Sequence, residues 1–316
     1  VVNKYCLKMC LLLLCAFLLM AVIPAGCAQE GSDDESPGGE VTLVDLMKRE
    51  VTIAGTVEKI ISLVPSNTEV LFALGLEDKV IGVTDYCNYP PEASSKESVG
   101  GFADPSIEVI LTLEPDLVLA GSLHQETVAR LEERDIPVLV LEPQSMEQVY
   151  ETIHTVGTAA GAENRAKKVV SEIRKQIDGV EKKLAALAED EKIPVYYELY
   201  FDPLMSIGNH SFIHEVMTAA GGKNIFADIN DNYPTVSPEA VAARNPRVIL
   251  YPDDHGTAEM VSEQFYARPG WVEISALKEK RIFGVDSDLF NRPGPRMGQA
   301  VQEAAALFYP ELFDSR

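Results

Sequence analysis

The sequence predicts an α/β protein made of two Rossmann-like lobes joined by one long α-helix. Candidate strands alternate with candidate helices over most of the chain, the pattern of parallel sheets. Two segments occur twice in the same order: "EVLFALG" (Glu69 to Gly75) returns as "EVMTAAG" (Glu215 to Gly221), and "SIEVILTLEPDLVL" (Ser106 to Leu119) returns as "SPEAVAARNPRVIL" (Ser237 to Leu250). Between the first set and the second lies a highly charged stretch with a single apolar stripe. The length of 316 residues matches about two domains.

At the beginning of the chain, Lys4 and Lys8 accompany the apolar run "MCLLLLCAFLLMAVI", and "PAGCAQ" follows. A basic start, an apolar middle and small residues before a cut site predict a secretory signal over residues 1–26. The run is shorter than the ~18 apolar residues of a permanent span. Ala25-Gly26-Cys27 resembles a bacterial lipobox, with Pro24 where that pattern usually has Leu; the resemblance implies acylation of Cys27. Residues 27–40 are polar and Gly-rich, the composition of a flexible tether. Cys6, Cys10 and Cys15 leave with the signal, so Cys87 is the single thiol without an assigned fate and no intramolecular disulfide is expected. Beside Tyr86, Cys87 reads as an incidental loop residue, with ligand contact or reactivity as the alternative.

Residues 41–160 form the predicted first lobe. "VTLVDLMKREVTIAG" alternates around a charged turn, as a hairpin does. "KIISLV" is a buried strand, and the helix "PSNTEVLFALG" follows, with Ser66 and Glu69 at capping-box spacing and Gly75 as its stop. "KVIGVT" is the next strand, and the long Tyr-Pro loop "DYCNYPPEASSKESVGGFAD" leads to the first copy of the longer repeat. A charged helix from Gln125 to Arg134 and the strand "PVLVLEP" complete the pattern.

Residues 161–192 form the predicted interlobe helix. Val169, Ile173, Ile177, Val180, Leu184 and Leu187 recur at intervals of three or four, one apolar stripe. Nearly thirty residues at 1.5 Å each give a rod of roughly 40 Å, and such a strut resists hinge closure. Residues 193–316 form the second lobe, with "VYYELY" as a strand, "SFIHEVMTAAGG" as a helix, and the second copy of the longer repeat.

The formal net charge of −22, from 27 basic and 49 acidic side chains, excludes a broad phosphate-neutralising face and with it nucleic acid. Strand-to-helix loops converge on a cleft in such folds. Those loops carry Tyr86, Tyr89, Phe102, Tyr200, Phe201 and Tyr233, aromatic faces suited to a large flat ligand. Basic residues are scarce there apart from Arg292 and Arg296 in "NRPGPR", which read either as caps or as partners of lobe carboxylates. Glu108 and Glu239 each stand two residues after a helix-starting Ser, where a carboxylate is stabilised locally by exposed N–H groups.

Taken together, "IISLVPSNTEVLFALGLEDKVIGVTDYCNYPPEA", "LEPDLVLAG", "GGKNIF" and "NRPGPR" resemble the substrate-binding lipoproteins of bacterial ABC importers, in the class that binds vitamin B12, ferric siderophores or haem. "TDYCNYPPEA" and "NYPTVSPE" are most similar to the cobalamin-binding branch. The resemblance implies a class III periplasmic-binding-protein fold and a corrinoid as cargo, with a ferric siderophore or haem as the alternative. It also implies no cofactor, no enzymatic activity, a lipid-anchored extracytoplasmic location, and a permease dimer with cytoplasmic ATPase subunits as partner. It places Tyr86, Phe102, Tyr233 and Asp288 at ligand-contacting positions, and Tyr200, Phe201 and Asn291 join them as cleft candidates. Phe102 and Tyr233 stand where a relative has Trp, and Gly121 replaces another aromatic. Glu108 and Glu239 become docking points for permease arginines.

Other signals carry less. Asp228, Asn230, Asn232 and Glu239 have calcium-loop spacing, but Tyr233 occupies the position that needs Gly. His210 and His214 straddle a helix start without a further metal-ligand motif. His124 and His255, in cleft-side loops, remain candidates for a haem or cobalt ligand. No nucleophile elbow, P-loop or zinc-protease motif is present. A secreted enzyme on this scaffold is therefore the weaker reading.

Overall fold

The computed structural model describes residues 39–253 and 262–313. The predicted signal, Cys27 with its expected acylation, nearly all of the tether and His255 lie outside the described residues.

Strands β1 (Val41–Val44) and β2 (Glu50–Ile53) pair antiparallel, Val41 opposite Ile53. Their tight turn is built on Asp45, whose carboxylate accepts from the backbone N–H groups of Met47 and Arg49 at 2.9 and 3.0 Å. Asp45 also accepts from Val140 N at 3.1 Å and pairs with Arg49, fixing the hairpin to the edge of the first lobe.

That lobe runs β3 (Ile60–Ser62), α1 (Pro65–Ala73), β4 (Val80–Val83), β5 (Glu97–Ser98), α2 (Ile107–Leu113), β6 (Leu117–Ala120), α3 (Gln125–Glu132), β7 (Val138–Val140) and α4 (Met146–Ala160). The strands are parallel, in the order β5-β4-β3-β6-β7. β3, β6 and β7 are buried throughout, as strands covered on both faces must be. The expected Ser66–Glu69 capping box does not form. Pro65, with its φ preset and its missing N–H harmless at a first turn, starts α1 ahead of Ser66. Glu69 is consequently carried a full turn into the helix, where it is buried.

Helix α5 (Glu163–Leu184) has 22 residues, so it spans ~33 Å rather than 40. It stops at Leu184 because the chain there folds back, Leu187 N donating to Leu184 O at 2.9 Å, to enter the second sheet. Its buried stripe is Ala166, Val170, Ile173, Ile177 and Val180. The phase therefore differs from the expected one at its start, where Val170 takes the inward place of Val169.

The second lobe runs β8 (Ile193–Tyr197), β9 (Tyr200–Phe201), β10 (Leu204–Met205), α6 (Phe212–Ala219), β11 (Gly222–Asn224), α7 (Pro238–Arg244) and β12 (Val248–Pro252). It continues with α8 (Glu263–Tyr266), α9 (Ser275–Lys278), β13 (Ile282–Val285), α10 (Ser287–Asn291), α11 (Met297–Phe308) and α12 (Pro310–Phe313). Its parallel order is β11-β8-β12-β13. "VYYELY" is thus not one strand: β8 ends at Tyr197, and Tyr200–Phe201 belongs to a separate short hairpin.

The sequence repeat is a structural one. β3, β4, β6 and β7 are ordered as β8, β11, β12 and β13 are. In α2 and α7 the Oγ of Ser106 and of Ser237 accepts from Val109 N and Ala240 N, at 3.4 and 3.1 Å. Both helices end on a left-handed residue followed by proline, Glu114 at φ 52° and Asn245 at φ 44°.

Candidate functional site

The ends of β3, β4, β6, β7 and the segment after β13 open onto a cleft of about 500 Å³. Tyr86, Phe102, Tyr233 and Asn291 are among its walls. Each is held by a local device.

Tyr86 follows β4 in a turn closed by Cys87 N donating to Thr84 O at 3.0 Å. Cys87 is 3% exposed, with its Sγ 3.1 and 3.3 Å from the hydroxyls of Thr68 and Thr84. Burying this thiol turns its neighbour outward, and Tyr86 remains 61% exposed. Cys87 is an anchor, not a ligand contact.

Phe102 is positioned by His124, which is 2% exposed. Gly121 N donates to Nδ1 at 2.9 Å, and Nε2 lies 2.6 Å from Phe102 O, which can only accept. The ring is therefore the Nε2–H tautomer with both nitrogens occupied. Its edge also meets the Phe102 ring at 5.5 Å. His124 does not fill the haem or cobalt ligand role that its loop position left open, because no lone pair of the ring faces the cleft. Among the described residues no cluster of three potential metal ligands occurs.

Tyr233 lies in a loop clipped to the end of β10, with Ser206 N donating to Pro234 O at 3.0 Å and Gly208 N to Asn232 O at 2.9 Å. A Cβ on Gly208 would stand 2.1 Å from Asp231 O, so only glycine admits the loop this closely. The Tyr233 hydroxyl is held above the usual phenol range, by withdrawal from water first and the Glu142 carboxylate second. Asn291 is oriented by the fully buried Tyr197, whose hydroxyl donates to Asn291 Oδ1 at 2.8 Å.

Tyr200, Phe201 and Asp288 are not among the residues lining this cleft. The two aromatics stack on each other at 5.4 Å on the β9–β10 hairpin. Asp288 is turned onto Arg292 at 2.7 Å and accepts from Asn88 Nδ2 at 2.8 Å. Conversely, Glu142, Gln144, Phe212 and Ile213 line the cleft without having been singled out. The first two follow β7 directly, so the rule that loops after strand ends converge would have found them. Phe212 and Ile213 begin α6 and read only as helix.

The cleft's charges are unequal. Glu142 and Asp104 supply carboxylates, and Glu142 accepts from Ser122 N at 2.7 Å. Among the described residues Arg292 is the sole cation in the lining, and it is paired with Glu69 and Asp288. Arg296 binds both oxygens of Glu69, at 2.8 and 2.7 Å, and its guanidinium covers the Tyr89 ring at 3.8 Å. Burial raises the Glu69 carboxyl above its ordinary range although both arginines pull it down. Glu108 and Glu239 are not among the residues lining the cleft and lie on the first turns of α2 and α7, Glu108 and Glu239 both exposed.

Two parallel-sheet lobes, a connecting helix and a cleft with rigidly held aromatics define a two-lobed solute-binding protein. The chain belongs to the periplasmic binding protein family, whose model matches residues 60–289. It is 35% identical to the uncharacterized ABC transporter substrate-binding lipoprotein YvrC of Bacillus subtilis, over 94% of this chain and 96% of that protein. It is 30% identical to the vitamin B12-binding protein of Vibrio cholerae, over 78% of this chain and 87% of that one. Among solved structures, the periplasmic heme-binding protein RhuT of Roseiflexus matches with a TM-score of 0.72 at 27% identity, covering 81% of this chain and 99% of that one.

Proposed function

We propose that this chain is the ligand-capturing subunit of an ABC importer and that its cargo is a corrinoid. The importer role is supported by the family and by the relative named for that role. The single observation that carries the cargo is the charge of the cleft. Among the described residues its lining offers two carboxylates, Gln144 and Asn291 as polar groups and aromatic faces, with its one arginine already paired. Amide-fringed macrocycles present N–H donors to such acceptors and a flat face to Tyr86, Phe102 and Tyr233. Haem carboxylates or an anionic siderophore would instead require free arginine or lysine.

In this reading Glu108 and Glu239, exposed on equivalent first turns, engage basic residues of a permease dimer whose ATPase subunits are cytoplasmic. Cys27 carries a lipid that anchors the chain outside the cytoplasm. The protein itself performs no chemistry on its cargo.

The test is titration of the full chain with cyanocobalamin, cobinamide, haemin and a ferric siderophore, followed by absorbance and calorimetry. Tight binding of either corrinoid is the expected result. Failure of both alongside tight binding of an iron chelate or haemin overturns the cargo.

A further inference from the structure

Among the described residues, the cleft's only arginine is unusually encumbered. Nη1 of Arg292 lies 3.4 Å from Glu69 Oε1 and 2.7 Å from Asn88 Oδ1. Nη2 lies 2.7 Å from Asp288 Oδ1 and 3.3 Å from Tyr86 O. A guanidinium has five N–H donors, so both terminal nitrogens are committed before any ligand arrives. Glu69 lies on α1 of the first lobe, with its side chain 2% exposed, and is shared with Arg296. Arg292 and Arg296 come from the second lobe, just after α10 and just before α11.

The arginines join the two lobes, and by themselves they would leave one positive charge in the cleft lining and a second behind it. Anionic ligands would be drawn there, because a planar guanidinium takes carboxylate or catecholate oxygens in pairs. Glu69 and Asp288 balance those charges. Of the two, Glu69 is the more consequential, since it contacts both arginines and is sealed from solvent and salt.

We propose that Glu69 is a selectivity residue: by neutralising Arg292 and taking up one of its donors, it keeps the cleft from capturing anionic ligands, so that near-neutral ones are preferred. Glu69 is not in the lining itself and acts through Arg292. The inference rests on the cleft being the ligand site and deepens the function proposed above.

The test compares the full-length wild type with Glu69→Gln, Asp288→Asn and the double variant Glu69→Gln/Arg292→Gln. The probes are cyanocobalamin and the ferric tris-catecholate trianion at low salt, with melting curves to show that each variant is folded. Glu69→Gln is expected to bind the trianion about tenfold more tightly than wild type, with the gain lost at high salt. Its affinity for cyanocobalamin is expected to stay within about threefold, a change of under 1 kcal/mol. Asp288→Asn moves trianion binding the same way by less, and serves if Glu69→Gln does not fold. The double variant returns trianion affinity to the wild-type level. No gain in either folded single variant overturns the proposal, as does a gain that survives loss of Arg292. If wild type ignores cyanocobalamin while Glu69→Gln still gains the trianion, the cargo assignment fails and the selectivity role stands.

Discussion

Glu69 and Glu215 occupy the same place in the two copies of the short repeat, and each reaches out of its own lobe into the other. Glu69 on α1 binds Arg296 at the start of α11, with Oε2 2.8 Å from Nε. Glu215 on α6 accepts from the backbone N–H of Met146, the first residue of α4, at 2.6 Å. The targets correspond too, since α4 follows β7, the last strand of its sheet, and α11 follows β13, the last strand of the other, after the short α10. One carboxylate meets two guanidinium groups and the other meets a helix N-terminus.

The two truncations should therefore differ. Glu69→Ala leaves Arg292 and Arg296 under-compensated in a buried setting and is expected to cost ~3 kcal/mol of stability. Glu215→Ala removes one charge-assisted bond to a helix start and is expected to cost ~1–2 kcal/mol. Urea denaturation measures both, and equal losses would contradict the burial argument.

His124→Ala should loosen the wall that carries Phe102, because it removes the bonds to Phe102 O and Gly121 N together. Corrinoid affinity is expected to fall about tenfold and stability by ~1–3 kcal/mol, the cost of unsatisfied buried groups. With haemin forced into the cleft, the iron absorbance bands should be the same in wild type and variant. A changed ligation spectrum would restore the histidine as a metal ligand.

Arg268→Ala should make stability strongly pH-dependent. Glu198 is buried and bound by Arg268 at 2.5 and 2.6 Å, and burial already holds its carboxyl above the ordinary range. Without the arginine that elevation grows. The native state then keeps a proton that the unfolded chain has released, so stability falls as pH rises through the window above the unfolded carboxylate value. The deficit relative to wild type is expected to reach ~3–5 kcal/mol at neutral pH and to shrink towards pH ~5. Parallel stability curves for the two proteins would refute this.

Glu108→Arg combined with Glu239→Arg should abolish cellular uptake of the ligand while leaving its affinity for the purified protein unchanged. Each single substitution should impair uptake to a similar degree. Equal loss of binding in the purified double variant would make these residues structural instead.

The lobes, the helix between them and the repeat were legible because they rest on periodicity and on strand–helix alternation, which are local. The site was legible only in part. Tyr86, Phe102, Tyr233 and Asn291 lie where loops after strands converge, and that rule needs no side-chain detail. The direction of Asp288 depends on Arg292 and Asn88, one of them two hundred residues away, and loop position alone does not give it. The local spacing of Ser66 and Glu69 fits a cap, whereas the arginine partners of Glu69 come from the far end of the chain. His124 shows the same blindness, since a ring with both nitrogens occupied looks identical in sequence to one with a nitrogen to offer.

The paired helix starts carry one more implication. Ser106–Glu108 and Ser237–Glu239 head helices of the same length, closed by the same left-handed stop. The cleft has no such duplication: Tyr86 and the Tyr-Pro loop belong to one half only. A partner with twofold symmetry that reads only these helix starts cannot tell one half of this molecule from the other. It would seat the protein either way round, and each seating would offer the cargo to the membrane turned by half a revolution. A transport path served by such a carrier has to accept both presentations.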